Sequence, residues 1–138
     1  MINNERIEIK NGDVFDIAGA KWIGKSGVSG NEDAPAPLIR KIAELKADIS
    51  KAVLSVTALG QYEGFVNGVA LDEKIVFAPT VSDYEKTVYY NVYDITSKLK
   101  EGKNIFSFIL GRGRYAFNTE GTPWNGETAI WADIKYSF

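Results

Sequence analysis

Thr57-Ala58-Leu59-Gly60-Gln61-Tyr62-Glu63, then Val66-Asn67-Gly68, Ala78-Pro79 and Asp83-Tyr84, then Val88-Tyr89-Tyr90, Tyr93-Asp94-Ile95-Thr96, Gly102-Lys103-Asn104 and finally Leu110-Gly111-Arg112-Gly113-Arg114-Tyr115: this run from Thr57 to Tyr115 decides the fold. It sets short β-branched and aromatic segments between glycine, Asn-Gly and Pro punctuation, the pattern of short strands joined by tight turns. Asn67-Gly68 supplies the two positive-φ residues of a type I′ turn, so Tyr62 to Ala70 is expected to be a hairpin.

The flanks read the same way. Ala52-Val53-Leu54-Ser55-Val56-Thr57 is β-branched and partly alternating, and Thr87 to Tyr93 is a second such segment. Asn104 to Leu110 and Ala129 to Tyr136 complete the set. Asp94-Ile95-Thr96-Ser97-Lys98-Leu99-Lys100 reads as one helical turn, with Asp94 or Thr96 as cap and Gly102 ending it. Leu38 to Leu45 has a composition that suits a helix, but Pro37 and the surrounding β pattern favour a strand.

Toward the N-terminus, Arg6 to Lys10 alternates as a strand, and Asn11-Gly12-Asp13 reads as a turn. Ala20 to Gly24 reads as another strand. The stretch from Lys25 to Pro37, rich in Gly, Ser, Asp and Pro, reads as a loop. Residues 1–18 are taken as a lead-in and 19–138 as the folded module.

Eight or so short strands divided by turns make an all-β sandwich of two antiparallel sheets. Leu54, Val56, Phe65, Val88, Tyr90, Ile105, Ile109, Ile130 and Ile134 are expected to be largely buried, with Trp22, Trp131, Phe106 and Phe108 also in the core.

Composition limits the function. The chain has 138 residues, enough for one domain with a real core. Sixteen basic residues are scattered among eighteen acidic ones, so no stripe tracks a nucleic-acid backbone. No apolar run reaches the ~20 residues of a membrane-spanning helix. With no cysteine there is no disulfide framework or thiolate metal site, which fits a reducing compartment such as the cytoplasm without demanding it. The complete absence of histidine excludes every Ser-His and Cys-His nucleophile system.

In order and spacing, the quoted segments, together with Ala36-Pro37-Leu38-Ile39-Arg40-Lys41, resemble the N-terminal accessory β-sandwich of bacterial α-L-rhamnosidases. The likeness extends over roughly Ala20 to Tyr136. It implies a jelly-roll, galactose-binding-like fold beside an (α/α)-barrel catalytic domain, which 138 residues cannot contain. It therefore implies a non-catalytic module whose partner is that barrel, with rhamnose-containing glycans as further ligands. An autonomous carbohydrate-binding module is the alternative, and a small independent glycosidase or lyase a third reading.

Departures from the family pattern carry weight. Where family members often have tryptophan, this chain has Val81 after Ala78-Pro79-Thr80, and Arg114 before Tyr115. Flat indoles are what a sugar ring stacks on, so their loss weakens a platform there. Some related domains bind rhamnose through calcium with an Asp-Asn pair at the position that here reads Leu59-Gly60, which offers no side-chain oxygen. No calcium is expected at Ala58 to Gln61, and no cofactor or metal is expected for the chain.

The remaining sugar-binding candidates are Trp124, Asn125 and Glu127 in a turn-rich loop, Arg114 and Tyr115 (with Arg112) in a Gly-x-Gly turn, and Asp83 at the sandwich rim. Each has a structural reading: Trp124 covers the sandwich edge or a partner surface, the arginines decorate a solvated turn, and Asp83 caps backbone N–H groups while Tyr84 packs. Asn31-Glu32-Asp33 offers oxygens to calcium, but such loops are usually just solvated. A glycosidase needs two carboxylates about 5–9 Å apart. Glu63, Asp83, Glu120 and Glu127 are available, yet no spacing pairs any two.

Overall fold

Strand-forming side chains at every second position of Lys51–Leu59 and of Gly102–Gly111 organise the molecule, because each can bury one face against the other sheet. The computed structural model describes residues 3–8, 20–27, 33–46, 49–116, 124 and 126–137. In chain order the strands are β1 (Asn3–Glu8), β2 (Ile23–Gly24), β3 (Leu38–Leu45), β4 (Lys51–Leu59), β5 (Gln61–Val66), β6 (Val69–Ala70), β7 (Thr87–Asp94), β8 (Gly102–Gly111) and β9 (Ala129–Ser137). One sheet has the order β1-β7-β4-β9-β2 and the other β3-β8-β5-β6. Every pairing between neighbours is antiparallel. From β3 onward the chain crosses between sheets at each step except the β5–β6 hairpin, the jelly-roll way of closing a sandwich.

The strand at Leu38–Leu45 forms as the β context required, against its helical composition. It lies at a sheet edge and pairs with β8 over its whole length, from Leu38 opposite Ile109 to Leu45 opposite Gly102. Tertiary pairing overrides intrinsic propensity here. The hairpin also forms: Asn67 and Gly68 have φ of 52° and 81°, the positive values a type I′ turn needs. The Asp94 segment is shorter than expected. It makes one 3-10 turn over Thr96–Lys98, and the chain is already extended at Leu99, so Gly102 does not end the turn but opens β8. Asp94 Oδ1 accepts from Thr96 N at 3.0 Å and from Thr96 Oγ1 at 2.6 Å, a local side-chain turn that replaces a helix cap. These bonds hold the Asp94 carboxyl below its usual pKa.

At the N-terminal side, Asn3–Glu8 pairs with β7 as the outer strand of the five-stranded sheet. It starts three residues before the expected Arg6. Ile9, Lys10 and the Asn11-Gly12-Asp13 turn lie outside the described residues. Of the expected Ala20–Gly24 strand, only Ile23–Gly24 pairs.

The core between the sheets takes Ala52, Leu54, Val56 and Ala58 from β4, Tyr62 and Val66 from β5, Tyr93 from β7, Phe106, Phe108 and Leu110 from β8, and Ile130 from β9. Leu54, Val56 and Ile130 are therefore buried as expected, and Ile134 packs half-buried against them. Several expected core residues face the other way. Residues 104, 106, 108 and 110 of β8 are buried, so Ile105 is only half-buried and Ile109 is exposed. Phe65 sits between the inward Gly64 and Val66 and is likewise half-buried, as is Tyr90. Val88 and Trp131 are buried, but outside the inter-sheet cluster. Trp22 is half-buried and lies just ahead of β2.

Two polar networks lock the sandwich. Tyr62 of one sheet and Tyr93 of the other share a buried hydroxyl–hydroxyl bond of 2.9 Å, and Asn91 Nδ2 donates to Tyr93 Oη at 3.0 Å. Burial first, then the neighbouring Tyr93, pushes the Tyr62 phenol well above its ordinary pKa. Asn104, fully buried, uses its whole side chain. Its Oδ1 accepts from Asn67 Nδ2 and Lys100 N, and its Nδ2 donates to the carbonyls of Lys100 and Gly102. Asn67 is thus more than a turn residue, since its Oδ1 also accepts from Ile105 N.

Candidate functional site

The residues that could touch a sugar gather where the β6–β7 and β8–β9 connections meet. Asp83 and Tyr84 stand just before β7. The Asp83 carbonyl accepts from Lys86 N and Thr87 N, and its carboxylate pairs with Lys86 Nζ at 2.8 Å and accepts from Glu85 N at 3.4 Å. That lysine contact is the main reason the Asp83 carboxyl lies below its usual pKa. The carboxylate is engaged in its own turn, as the structural reading of Asp83 had it.

Tyr84 is the hub of an aromatic cluster. Tyr115 and Trp124 both meet it edge-to-face, with ring centroids 5.1 Å and 5.2 Å away. Burial, with a smaller effect from Tyr115, raises the Tyr84 pKa. Gly126 allows the cluster to close, because a Cβ there would lie 2.7 Å from the Tyr115 ring. Tyr84 Oη, Trp124 Nε1 and Thr128 Oγ1 are buried without a hydrogen-bond partner. Glu127 is turned to a structural task, its Oε1 accepting from Gly27 N at 2.7 Å.

The Gly-x-Gly turn does not project its three side chains as one unit. Tyr115 packs on Tyr84, Arg112 Nη2 donates to the Ala34 carbonyl at 3.5 Å, and Arg114 is exposed. Gly60, beside this turn, has φ of 108°, and a Cβ on it would collide with the Gly111 carbonyl oxygen. Close backbone approach therefore fixes glycine at that position, where the sequence offers no calcium ligand. Asn125, Glu120, Asn31 and Glu32 lie outside the described residues, and Asp33 is exposed. Among the described residues no group of three His, Cys, Asp or Glu side chains could hold a metal ion, and no helix is long and apolar enough to cross a membrane.

Two hollows were not foreseen. A groove of about 420 Å³ opens between edge strand β3 and β9, lined by Ile39, Ala43, Leu54, Phe108, Ile130 and Ile134. Its walls are almost wholly apolar, without the convergent polar groups that orient a sugar. A smaller hollow of about 260 Å³ lies among Tyr62, Glu63, Asp72 and Val76. The alternation of β3 was the available signal for the first, since Ile39 and Ala43 fall on its inward side.

Taken together, fold and rim define an aromatic-rimmed jelly-roll sandwich. The chain belongs to the α-L-rhamnosidase N-terminal domain family, whose model matches residues 47–138. It is 33% identical over 101 residues to an α-L-rhamnosidase of Formosa agariphila, covering 73% of this chain and 10% of the relative. The structure of Streptomyces avermitilis α-L-rhamnosidase complexed with L-rhamnose matches 75% of this chain and 10% of its own, at 30% identity and TM-score 0.69. That of the α-L-rhamnosidase from Dictyoglumus thermophilum matches 86% of this chain and 14% of its own, at 28% identity and TM-score 0.73. The chain thus spans about a tenth of the length of the Formosa relative.

Proposed function

We propose that this chain is a non-catalytic accessory module of an α-L-rhamnosidase, packing on the catalytic domain and helping to shape the approach to its substrate. The observation that carries this reading is that 73% of this chain matches only about one tenth of the Formosa enzyme, so most of that protein's length lies outside the match. Two of the candidate acidic groups are already engaged within the fold, Asp83 with Lys86 and Glu127 with a backbone N–H, while Glu63 is an exposed residue of β5.

The second reading, an autonomous carbohydrate-binding module, draws on the Tyr84–Tyr115–Trp124 cluster, with Arg114, Glu127 and Asp83 as its nearby polar groups. Edge-to-face packing consumes part of the aromatic surface, and one sugar stacked on one ring without a metal binds only at about millimolar strength or weaker. Titrating L-rhamnose into the isolated chain, followed by tryptophan fluorescence, separates the two. The accessory-module reading expects no saturation below the millimolar range and no hydrolysis of an aryl rhamnoside. Micromolar binding abolished by Trp124→Ala would replace it with the binding-module reading.

A further inference from the structure

We infer that the outer face of the four-stranded sheet is the surface through which this domain packs on the catalytic part of the rhamnosidase, an inference that rests on the accessory-module reading. The first ground is the pattern of β8. Ile105-Phe106-Ser107-Phe108-Ile109-Leu110 is apolar on both faces: Phe106, Phe108 and Leu110 fill the core, while Ile105 and Ile109 point out. A sheet with one face in water alternates apolar and polar, and a nearly continuous apolar run belongs to a strand covered on both sides.

The second ground is contiguity. Directly opposed residues of antiparallel neighbours share a face, so the register assembles the outer surface row by row. Leu38 lies opposite Ile109, Ile42 opposite Ile105, and Phe65 opposite Ser107 in the row between them. Leu38 is 64% exposed, Ile42 48% and Ile109 38%. Five large apolar side chains thus form one patch across three strands. Glu44, Lys103 and Glu63 lie on this face at its borders, while Arg40, opposite Ser107, stands on the edge strand between Leu38 and Ile42, so the charged groups on the face are two of each sign.

The third ground identifies the occupant. On the other outer face of the sandwich Thr57 and Trp131, paired across β4 and β9, are 1% and 3% exposed, and Val53, Tyr90 and Val92 are half-buried. Only the four-stranded sheet therefore presents this much unmet apolar surface on an outer face of the described residues. The Formosa relative carries roughly nine times this chain's matched length in addition to the match, and that is where the covering surface lies. The partner surface is accordingly flat and apolar at its centre, with carboxylates and cations set to meet Arg40, Lys103, Glu44 and Glu63.

The test uses the 138-residue chain, its double variant Leu38→Glu/Ile109→Lys and the control Val81→Glu, each titrated by calorimetry with the catalytic part of the rhamnosidase produced without these residues. Both substituted positions are already exposed, so circular dichroism and melting should match the parent. The parent and Val81→Glu are expected to associate with the catalytic part, and the double variant to bind at least about tenfold more weakly. If the parent binds and the double variant binds equally well, the surface is wrong while the accessory reading stands. If the parent does not bind at all, the accessory reading itself fails, and this inference with it. Sedimentation of the chain alone closes the remaining route: a concentration-dependent dimer abolished by the double variant would make a second copy the occupant and overturn the proposal.

Discussion

On the outer side of the five-stranded sheet, Thr57, Val88 and Trp131 are buried under other parts of the chain. On the outer side of the four-stranded sheet, Leu38, Ile42 and Ile109 face solvent. Both sheets pack the same core between them, so their inner faces are equivalent in kind: Leu54, Val56 and Ile130 on one, Phe106, Phe108 and Leu110 on the other. The difference lies wholly outside. A side chain that is covered contributes to the stability of the isolated domain, whereas an exposed one of the same chemistry contributes only when something else covers it. The two faces therefore divide the labour between folding and association.

The largest test of that division removes Trp131. Its indole is buried on the closed outer face, so Trp131→Ala is expected to cost about 3–5 kcal/mol of unfolding free energy, read from denaturant midpoints. A loss under about 1 kcal/mol would mean that this face is not closed and that the two sides are alike.

A smaller effect sharpens the contrast by isolating the interior. The Tyr62 hydroxyl bridges the sheets, and its pKa is raised by burial. The folded state therefore holds that proton more tightly than the unfolded state does. The resulting stability is fully present below the ordinary tyrosine pKa of about 10 and is lost as pH rises beyond it. Tyr62→Phe should cost about 1 kcal/mol near neutrality and give a shallower decline above pH ~10 in melting experiments. An unchanged alkaline limb would show that the bridge does not hold the sheets together.

The smallest expected effect is on the open face. Leu38→Ala in the isolated chain should change stability by no more than about 0.5 kcal/mol. A loss of 2 kcal/mol or more would show that Leu38 is covered within the chain, which erases the distinction between the faces.

How much of this was legible in the sequence follows the same division. Elements bounded by special backbone chemistry read through clearly: Asn67-Gly68 made its hairpin, Pro37 and the β context made Leu38–Leu45 a strand, and Asp83 capped its turn. The orientation of β8 did not read through. When Ile105 and Ile109 are as apolar as Phe106 and Phe108, period-two alternation offers two equally good registers, and only the opposing sheet decides which set is inside. The ambiguity was itself the sign of a strand meant to be covered twice. Trp131 was legible as buried but not as lying outside the inter-sheet core, since hydrophobicity does not say which side of a sheet a residue occupies. The Asn67–Asn104 network was invisible because its two members are 37 residues apart. At the rim, residue types suggested grasping groups, but Glu127 and Asp83 are occupied by Gly27 and Lys86, and those partners are set by folding rather than by local sequence.

The central claim is that the exposed apolar face of the four-stranded sheet is covered by the catalytic part of a rhamnosidase. Hydroxyl-radical footprinting of Leu38, Ile42 and Ile109, read by mass spectrometry, addresses it most directly. In the isolated chain all three should oxidise readily, and Val81 with them. With the catalytic part bound, the account predicts strong protection of the three and continued oxidation of Val81. Equal oxidation of Leu38, Ile42 and Ile109 in the free and bound chain would contradict it.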